Sequence, residues 1–158
     1  MAKLKKYASP EEAYKYCYLK GLSFPDNWYI TNNFSWNEAF KNERKSDGKP
    51  ILEIFQNVFL TAIQLQSART KIGKPFNIHC WVRQIPHNIR AGSTAVFSPH
   101  INGRAVDFSV TNVKPEQVRE QLLKLNLPIR IEAGTPTWVH VDIGNSYTEN
   151  FKWGLFYP

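Results

Sequence analysis

The clearest pattern of hydrophobic positions runs through residues 50–70 and has a helical period. Apolar side chains recur there every three or four residues, and they are Ile51, Ile54, Phe55, Val58, Phe59, Ala62, Ile63 and Leu65. Gly73 follows just beyond them, at a position typical of a helix end. This pattern predicts a long amphipathic helix whose apolar face forms the centre of the core.

Two shorter helices are predicted from residues that start a helix. Ser9 and the Pro-Glu-Glu sequence after it predict a helix over residues 9–22, because a serine side chain caps the first free amides and proline fits the first turn. Ser35 and Glu38 have the spacing of a capping box and predict a second, short helix. The charged residues 41–49 then predict a solvated loop.

The second half of the chain carries short runs that are typical of strands. They predict strands over residues 75–83, 104–110, 128–133 and 137–143, with a closing strand within residues 151–157. In the first of these strands, alternation puts Phe76, Ile78, Cys80 and Val82 on one face and Asn77, His79, Trp81 and Arg83 on the other.

Two connecting segments complete the predicted order of elements. Residues 84–97 hold proline, glycine and small polar residues and predict a loop. Pro115 and the leucines after it predict a helix up to Leu125, capped by Thr111 or Asn112. Helices in front of a small antiparallel sheet predict an α+β domain.

Length and composition narrow the class of protein. A chain of 158 residues, 42% of them hydrophobic, is enough for one globular domain with a real core. No apolar run is long enough to span a bilayer, and Glu11 and Glu12 lie where a signal peptide needs its apolar region. We therefore expect no membrane anchor and no export signal, so that the protein is cytoplasmic at synthesis.

The net charge of +7 leaves two interpretations open. It favours an anionic partner such as nucleic acid or a cell-wall polymer, or it mainly keeps a small protein in solution. The basic residues are scattered and no nucleic-acid motif accompanies them, so we expect no specific nucleic-acid partner. Cys17 and Cys80 form no Cys-x-x-Cys pair, which predicts two reduced, buried thiols.

The candidate chemistry lies in two short motifs, Ser-x-His-x-x-Gly-x-Ala-x-Asp and, later, Trp-Val-His-Val-Asp. His100 and His140 offer imidazole nitrogens and Asp107 offers a carboxylate oxygen. Zinc accepts such a set in catalytic sites, where a fourth position is left for water. Gly103 lets the backbone turn between His100 and Asp107. If the three side chains converge, the chain holds a hydrolytic zinc ion.

Together, these motifs resemble the zinc peptidase family M15, which includes D,D-carboxypeptidases and phage endolysins that cut cell-wall peptides. The likeness extends upstream to Cys-Trp-Val-Arg-Gln-Ile-Pro-His-Asn and covers roughly residues 33–144. It implies a D,D-peptidase/Hedgehog-like fold over residues 33–158, after an N-terminal helical extension of residues 1–32. It also implies a bound Zn2+ and a peptidoglycan stem peptide as the substrate.

The resemblance further implies roles for two residues beside the metal ligands. Arg83 would orient the substrate and stabilise negative charge on the scissile carbonyl, for which a guanidinium fork is well suited. Ser98 would hydrogen-bond the substrate. A surface ion pair for Arg83 and a loop cap for Ser98 are the alternatives.

The general base is an open choice, because Thr137 stands where many members of the family have a carboxylate. Asp142 shares a strand face with His140 and is slightly preferred as the base, with a ligand-orienting role as its alternative. Glu132 is the other candidate. If residues 133–136 form the hairpin loop, Glu132 faces Thr137 and points away from His140, whereas a loop one residue shorter or longer brings it to the zinc side.

We therefore expect a zinc metallopeptidase that hydrolyses peptidoglycan stem peptides, as a D,D-carboxypeptidase or an endopeptidase. Such an enzyme would be a monomer that another factor releases to the wall, or a component of a phage particle. Thr137 motivates a second hypothesis, a non-catalytic structural or wall-binding module that retains the peptidase fold.

Overall fold

The computed structural model describes residues 3–94, 97–144 and 153–157 of the chain. Its helices are α1 (Pro10–Lys20), α2 (Trp36–Phe40), α3 (Leu52–Ile72), α4 (Ile85–Arg90) and α5 (Pro115–Lys124). Its strands are β1 (Lys6–Tyr7), β2 (Trp28–Tyr29), β3 (Phe76–Cys80), β4 (Ala105–Val110), β5 (Arg130–Glu132), β6 (Val139–Asp142) and β7 (Gly154–Phe156). Helices packed with a small sheet confirm the predicted α+β class.

Helix α3 forms the centre of the core, as its hydrophobic period predicts. The ring centroid of its Phe55 lies 4.8 Å from that of Phe40 and 5.8 Å from that of Tyr14 in α1. The helix ends at Gly73, which takes a left-handed conformation with φ of 72°. Although α3 is the longest helix, no helix within the described ranges is long and apolar enough to cross a membrane.

The predicted cap at Ser9 and the predicted capping box at Ser35 are both present, and Ser9 also forms a capping box. At α1, the side chain of Ser9 accepts a hydrogen bond from the amide of Glu12, and the side chain of Glu12 accepts one from the amide of Ser9. Ser35 and Glu38 make the same exchange at α2. Each pair satisfies two amides that a helix start would otherwise leave without a partner, so these starts depend on local sequence alone.

The first 32 residues pack onto the rest of the chain. Ala13 and Cys17 of α1 are buried in the same hydrophobic core as Phe55, and the ring of Phe24 lies 6.3 Å from that of Phe55. Strands β1 and β2 form a separate parallel pair, which the sequence did not predict because each strand has only two residues. The boundary at residue 32 stays a prediction, and aromatic contacts cross it.

The main sheet has the strand order β3-β4-β6-β5-β7. The first four strands are antiparallel to their neighbours, as predicted, whereas β7 pairs with β5 in the parallel sense. The closing strand predicted within residues 151–157 is β7, and residues 151 and 152 lie outside the described residues. An alternating pattern carries no information on strand direction, so the parallel edge was not predictable from it.

The segment predicted as a loop at residues 84–97 contains helix α4. Arg90 of this helix forms a bidentate ion pair with Asp47, and His87 Nδ1 contacts Oε1 of Glu43. The hydrogen bonds from Arg90 lower the pKa of Asp47 to about 2. The loop prediction was wrong because the partners that hold this short helix lie 43 and 44 residues earlier in the chain.

Helix α5 begins later than predicted. Its cap is Lys114 rather than Thr111 or Asn112. The prediction was wrong because Val113 forms a β-bridge with Val110, and Asn112 takes the left-handed conformation, with φ of 59°, inside that turn.

Candidate metal centre

An open cleft of about 520 Å³ lies on one face of the main sheet. It is lined by all seven residues that the sequence analysis selects, which are Arg83, Ser98, His100, Asp107, Glu132, His140 and Asp142. Phe97, Trp138 and Phe156 add aromatic surface to the same cleft. The structure therefore brings the candidate metal-binding, substrate-binding and catalytic residues together.

His100 is buried, with one ring nitrogen held by the protein backbone. It lies in a short 3-10 helix, Pro99–Asn102, and is 2% exposed. Its Nδ1 is 2.7 Å from the carbonyl oxygen of Trp81. Because a carbonyl oxygen can only accept, Nδ1 donates the hydrogen bond. Nε2 is then the ring nitrogen left for a metal, and the carbonyl fixes the orientation of the ring.

Gly103 makes the turn between His100 and strand β4. Its φ is +73°, and a Cβ at this position would lie 2.8 Å from Cγ2 of Val58 and 3.0 Å from the carbonyl oxygen of Ile54. The carbonyl oxygen of Gly103 accepts a hydrogen bond from Nε1 of Trp81 at 3.3 Å. Only glycine fits this left-handed turn against α3, which explains its place between the two candidate ligands.

Asp107 lies on β4 directly opposite His140 on β6. Its neighbours Val106 and Phe108 are buried in the core, so the side chain of Asp107 points to the cleft. Its Oδ1 is 2.8 Å from Nδ1 of His140, and its Oδ2 is 3.3 Å from Nε2 of His100. Burial raises the pKa of Asp107, but the hydrogen bonds with the two histidines outweigh it and hold the pKa well below its usual range.

His140 has a carboxylate beside each ring nitrogen. Its Nδ1 faces Asp107, and its Nε2 is 3.4 Å from Oδ2 of Asp142. Burial lowers the pKa of His140, but the hydrogen bonds with Asp107 and Asp142 outweigh it and raise the pKa to about 9. Asp142 therefore orients the ring so that Nδ1 faces the cleft.

Asp142 is itself held by Arg130 of β5, a residue that the sequence analysis missed. Arg130 donates from Nε to Oδ1 at 2.7 Å and from Nη2 to Oδ2 at 2.9 Å, and the amide of Gly144 donates to Oδ1 at 2.8 Å. Burial raises the pKa of Asp142, but the hydrogen bonds with His140 and Arg130 outweigh it and keep the pKa low. This arrangement favours the orienting role of Asp142 over the role of base. The feature that identifies Arg130 as the partner of Asp142 is its position opposite Asp142 in the β5–β6 pairing.

Glu132 lies on the cleft side of β5. The register of β5 and β6 pairs Ile131 with Val141, so one further step places Glu132 level with His140. Its Oε2 is 4.0 Å from Nδ1 of His140, and the side chain is 24% exposed. The short connection of residues 133–136 does not form. The actual connection is longer by an odd number of residues, which turns Glu132 to the side of His140. Thr137 is exposed to solvent.

Arg119 of α5 holds the connection between β5 and β6. Its Nη1 donates to the carbonyl oxygen and Oγ1 of Thr135, at 3.1 and 3.0 Å, and lies 3.4 Å from the carbonyl oxygen of Trp138. Both Arg119 and Thr135 are buried. This contact was not predictable from the sequence, because an arginine on the polar side of a predicted helix is usually solvated.

Arg83 and Ser98 line the same cleft. Strand β3 ends at Cys80 rather than at residue 83, so Arg83 follows the strand, and its amide donates to the carbonyl oxygen of His100 at 3.0 Å. Within the described part of the chain, the buried Nε of Arg83 has no hydrogen-bond partner. A buried donor in this state is available to an acceptor that enters the cleft.

Cys80 lies beside the candidate ligands, whereas simple alternation puts it on the same face as Phe76 and Ile78. The register of β3 and β4 shifts between Ile78 and Cys80, so that Cys80 pairs with Asp107. One possible ligand atom from each of Cys80, His100 and Asp107 lies within 4.8 Å of the other two. Burial, followed by the charge of Asp107, raises the pKa of the Cys80 thiol to about 11. Both cysteines are free, as predicted, but only Cys17 is fully buried.

The donor set fits a zinc ion. His100 and His140 offer nitrogens and Asp107 offers oxygens, which are ligand types that zinc takes in catalytic sites. The second nitrogen of each histidine faces an oxygen, from the Trp81 carbonyl in one case and from Asp142 in the other. Metal-bound histidines usually have such a partner, because it fixes the ring and its tautomer.

Comparison with models of known protein families matches residues 32–142 of the chain to a family described as Peptidase M15. The matched range covers more than half of the chain and contains all seven of the selected cleft residues. No curated protein matches the chain.

Proposed function

The chain belongs to the peptidase M15 family, and we propose that it is a zinc-dependent peptidase that hydrolyses the stem peptides of peptidoglycan. The observation that carries this proposal is the convergence of His100, Asp107 and His140 in one open cleft that also contains a partly exposed carboxylate and an arginine. Zinc follows from the fit of these donors, and the substrate class rests on the family.

His100, Asp107 and His140 would hold the metal. When bound, zinc supplies a Lewis acid that activates water and polarises the peptide carbonyl. His100 offers Nε2, because the carbonyl of Trp81 occupies its Nδ1. His140 offers Nδ1, because Asp142 faces its Nε2. The two rings therefore reach the site already oriented.

Glu132 is the proposed general base. Its carboxylate is 4.0 Å from Nδ1 of His140 and is partly exposed to the cleft, whereas both oxygens of Asp142 accept hydrogen bonds from Arg130. Glu132 accepts a proton from the attacking water as the new C–O bond forms. It returns that proton to the leaving nitrogen as the peptide C–N bond breaks.

Arg83 is the proposed partner of a substrate oxygen. Its guanidinium lines the cleft with a buried Nε that has no acceptor in the described chain. A guanidinium stabilises negative charge on a carbonyl oxygen, or binds a terminal carboxylate with two parallel hydrogen bonds. Ser98 adds a hydroxyl on the same wall, and Phe97 and Trp138 offer exposed aromatic surface on which a peptide can pack.

Hydrolysis of purified peptidoglycan by the full-length protein, loaded with zinc, tests the proposal. The readout is the release of new amino groups. We expect release that depends on zinc and that stops in His100→Ala, which loses one ligand. Binding to several types of cell wall without any release, in fully loaded protein, would contradict the proposal and favour a non-catalytic wall-binding module.

The variant Glu132→Gln distinguishes the role of a general base from that of a metal ligand. A general base contributes about 100- to 10,000-fold to the rate, so we expect a loss in that range with an unchanged zinc content. Glu116→Gln is the matched control, because the side chain of Glu116 is 63% exposed on α5. Full activity of Glu132→Gln would show that the base lies elsewhere.

A further inference from the structure

Strand β3 contains a bulge where it reaches the cleft. Two of its residues, His79 and Cys80, lie opposite a single residue of β4, and Cys80 pairs with that residue, Asp107. The bulge reverses the alternation of β3 and turns Cys80 to the face of Asp107. The side chains of Lys41 and Asn42 donate hydrogen bonds to backbone carbonyls at the bulge, so a separate segment of the chain supports this irregularity.

The bulge places a thiol among nitrogen and oxygen donors. One ligand atom from each of Cys80, His100 and Asp107 lies within 4.8 Å of the other two. Zinc with bonds of about 2.0 to 2.3 Å keeps tetrahedral ligands about 3.3 to 3.8 Å apart. Side-chain shifts of about 1 Å therefore bring the three donors to one metal ion, and Cys80 is only half-buried.

We propose that the Cys80 thiolate is a ligand of the metal, so that Cys80, His100, Asp107 and His140 provide four protein donors. This inference rests on the metal site of the proposed function. Sites with four protein donors are closed, whereas catalytic zinc sites keep one position for water. With a fourth protein donor in place, water would have access to the metal only if the thiolate were released or a fifth ligand were accepted, so Cys80 would limit the access of water.

A thiolate also changes which metal the site prefers. Thiolates select zinc and other soft or borderline ions, whereas carboxylates and waters suit magnesium and calcium. We expect zinc and cobalt to bind to the full-length protein and an excess of magnesium to leave them in place.

Cobalt in place of zinc reports the thiolate directly, because a sulfur ligand adds a charge-transfer band in the near ultraviolet. We expect this band in the wild-type protein and in Cys17→Ala, and its loss in Cys80→Ala. Removal of a residue that only orients a metal ligand lowers metal affinity by roughly 10- to 100-fold. The loss of a ligand in Cys80→Ala should lower zinc affinity by at least as much. Cys17 is the matched control because it is the other cysteine of the chain and is buried in α1. A wild-type cobalt spectrum without the band would overturn the proposal.

Alkylation of the wild-type protein needs no variant. We expect zinc to slow the reaction of Cys80 with iodoacetamide by at least about tenfold, because a metal-bound sulfur is a poor nucleophile. Cys17, which is 1% exposed, should stay unmodified in both samples, which shows that the protein remains folded. Equal rates for Cys80 with and without zinc would contradict a bond between the thiolate and the metal.

The outcomes separate this inference from the proposed function. Unchanged zinc affinity and unchanged hydrolysis in Cys80→Ala remove Cys80 from the site and leave the peptidase standing. A thiolate band in a protein that cleaves no wall peptide supports the inference and contradicts the peptidase. A wild-type protein that binds neither zinc nor cobalt contradicts both.

Discussion

The first wall of the cleft, residues 98–107, and the second wall, residues 130–142, are held by different interactions. In the first wall, His100 is fixed by a backbone carbonyl and by a glycine turn that packs on α3. In the second wall, His140 is fixed by a carboxylate that belongs to a buried ion pair. The orientation of His100 therefore depends on shape and a backbone hydrogen bond, whereas that of His140 depends on a series of charges.

This difference means that two ligands of one metal site respond to different perturbations. A close-packed turn tolerates no added volume, because the interior around it has no free space. A buried ion pair is strongly destabilised when one charge is removed, because the other charge is left in a poorly solvating environment. Each wall can therefore be weakened while the other stays intact.

Removal of the Asp142 charge should have the largest effect. Asp142→Asn takes away the carboxylate that pairs with Arg130, and breaking a buried ion pair costs about 3 to 5 kcal/mol. It also removes the anion that orients His140, so we expect zinc affinity to fall by about 10- to 100-fold. Urea unfolding and zinc titration measure the two losses.

A double variant sharpens this test of the second wall. Arg130→Met combined with Asp142→Asn should lose less stability than the sum of the two single variants, because no buried charge is left without its partner. Additive losses would mean that the two residues do not act as a pair.

Addition of one methyl group to the first wall should have the next largest effect. Gly103→Ala puts a Cβ 2.8 Å from Val58 in a left-handed turn, and we expect a loss of about 3 kcal/mol in the free energy of unfolding. Gly134→Ala in the second wall is the control. Its φ is +94° but nothing lies within 4 Å of the added Cβ, so we expect about 1 kcal/mol. Equal losses in urea unfolding would show that packing does not distinguish the two walls.

Removal of the hydrogen bonds that Arg119 donates to residues 135 and 138 should lower the stability by a smaller amount, and only in the second wall. Arg119→Met leaves the carbonyl oxygen and Oγ1 of Thr135 without the donor Nη1, while the carbonyl oxygen of Trp138 keeps the hydroxyl of Thr135 as a donor, and we expect a loss of about 2 kcal/mol. Glu116→Gln is the control, because the exposed ion pair that Glu116 makes with Arg119 at 3.5 Å should contribute little. If both variants lose the same stability, the ion pair with Glu116, rather than the hydrogen bonds to Thr135 and Trp138, holds the connection between β5 and β6.

A change of pH should produce the most gradual effect, again through the second wall of the metal-free protein. The pKa of His140 is raised from 6.5 to about 9 on folding. Its contribution to the free energy of unfolding is therefore complete below about pH 6.5 and is lost as the pH rises through 9. The loss is at most about 1.4 kcal/mol per pH unit. The pKa of Asp142 is lowered, so its contribution is present above about pH 4 and is lost as the pH falls through the folded value.

We therefore expect the Tm of the metal-free protein to be highest between about pH 4 and pH 6.5. His140→Gln should flatten the alkaline side of this curve, whereas His79→Gln should not, because His79 is an exposed histidine on β3. A wild-type curve that stays flat up to pH 9 would contradict the role of charge in the second wall.

Local sequence was sufficient for several helices and for the first wall. The period of α3, the cap at Ser9 and the capping box at Ser35 depend on residues within one or two turns of each other, so they were predicted correctly. The motif from Ser98 to Asp107 is equally local, because its turn needs one glycine at one position. The family was recognised from two short motifs, and the match over residues 32–142 confirms it.

Pairing between distant strands was not predictable in the same way. The face of Glu132 depends on the β5–β6 register, in which a shift of one residue moves the side chain from one face to the other. The position of Cys80 depends on a bulge that side chains from residues 41 and 42 support. Helix α4 was missed for a similar reason, because its ion-pair partners are distant in the chain.

By itself, the sequence determined the α+β class, the core helix, the family and the three candidate ligands His100, Asp107 and His140, because each depends on spacing within a short segment. Only the tertiary structure decided which carboxylate faces the cleft, that Arg130 holds Asp142, and that Cys80 joins the candidate ligands. These contacts depend on strand register, a bulge and charge pairing across the sheet, and no short segment contains both partners.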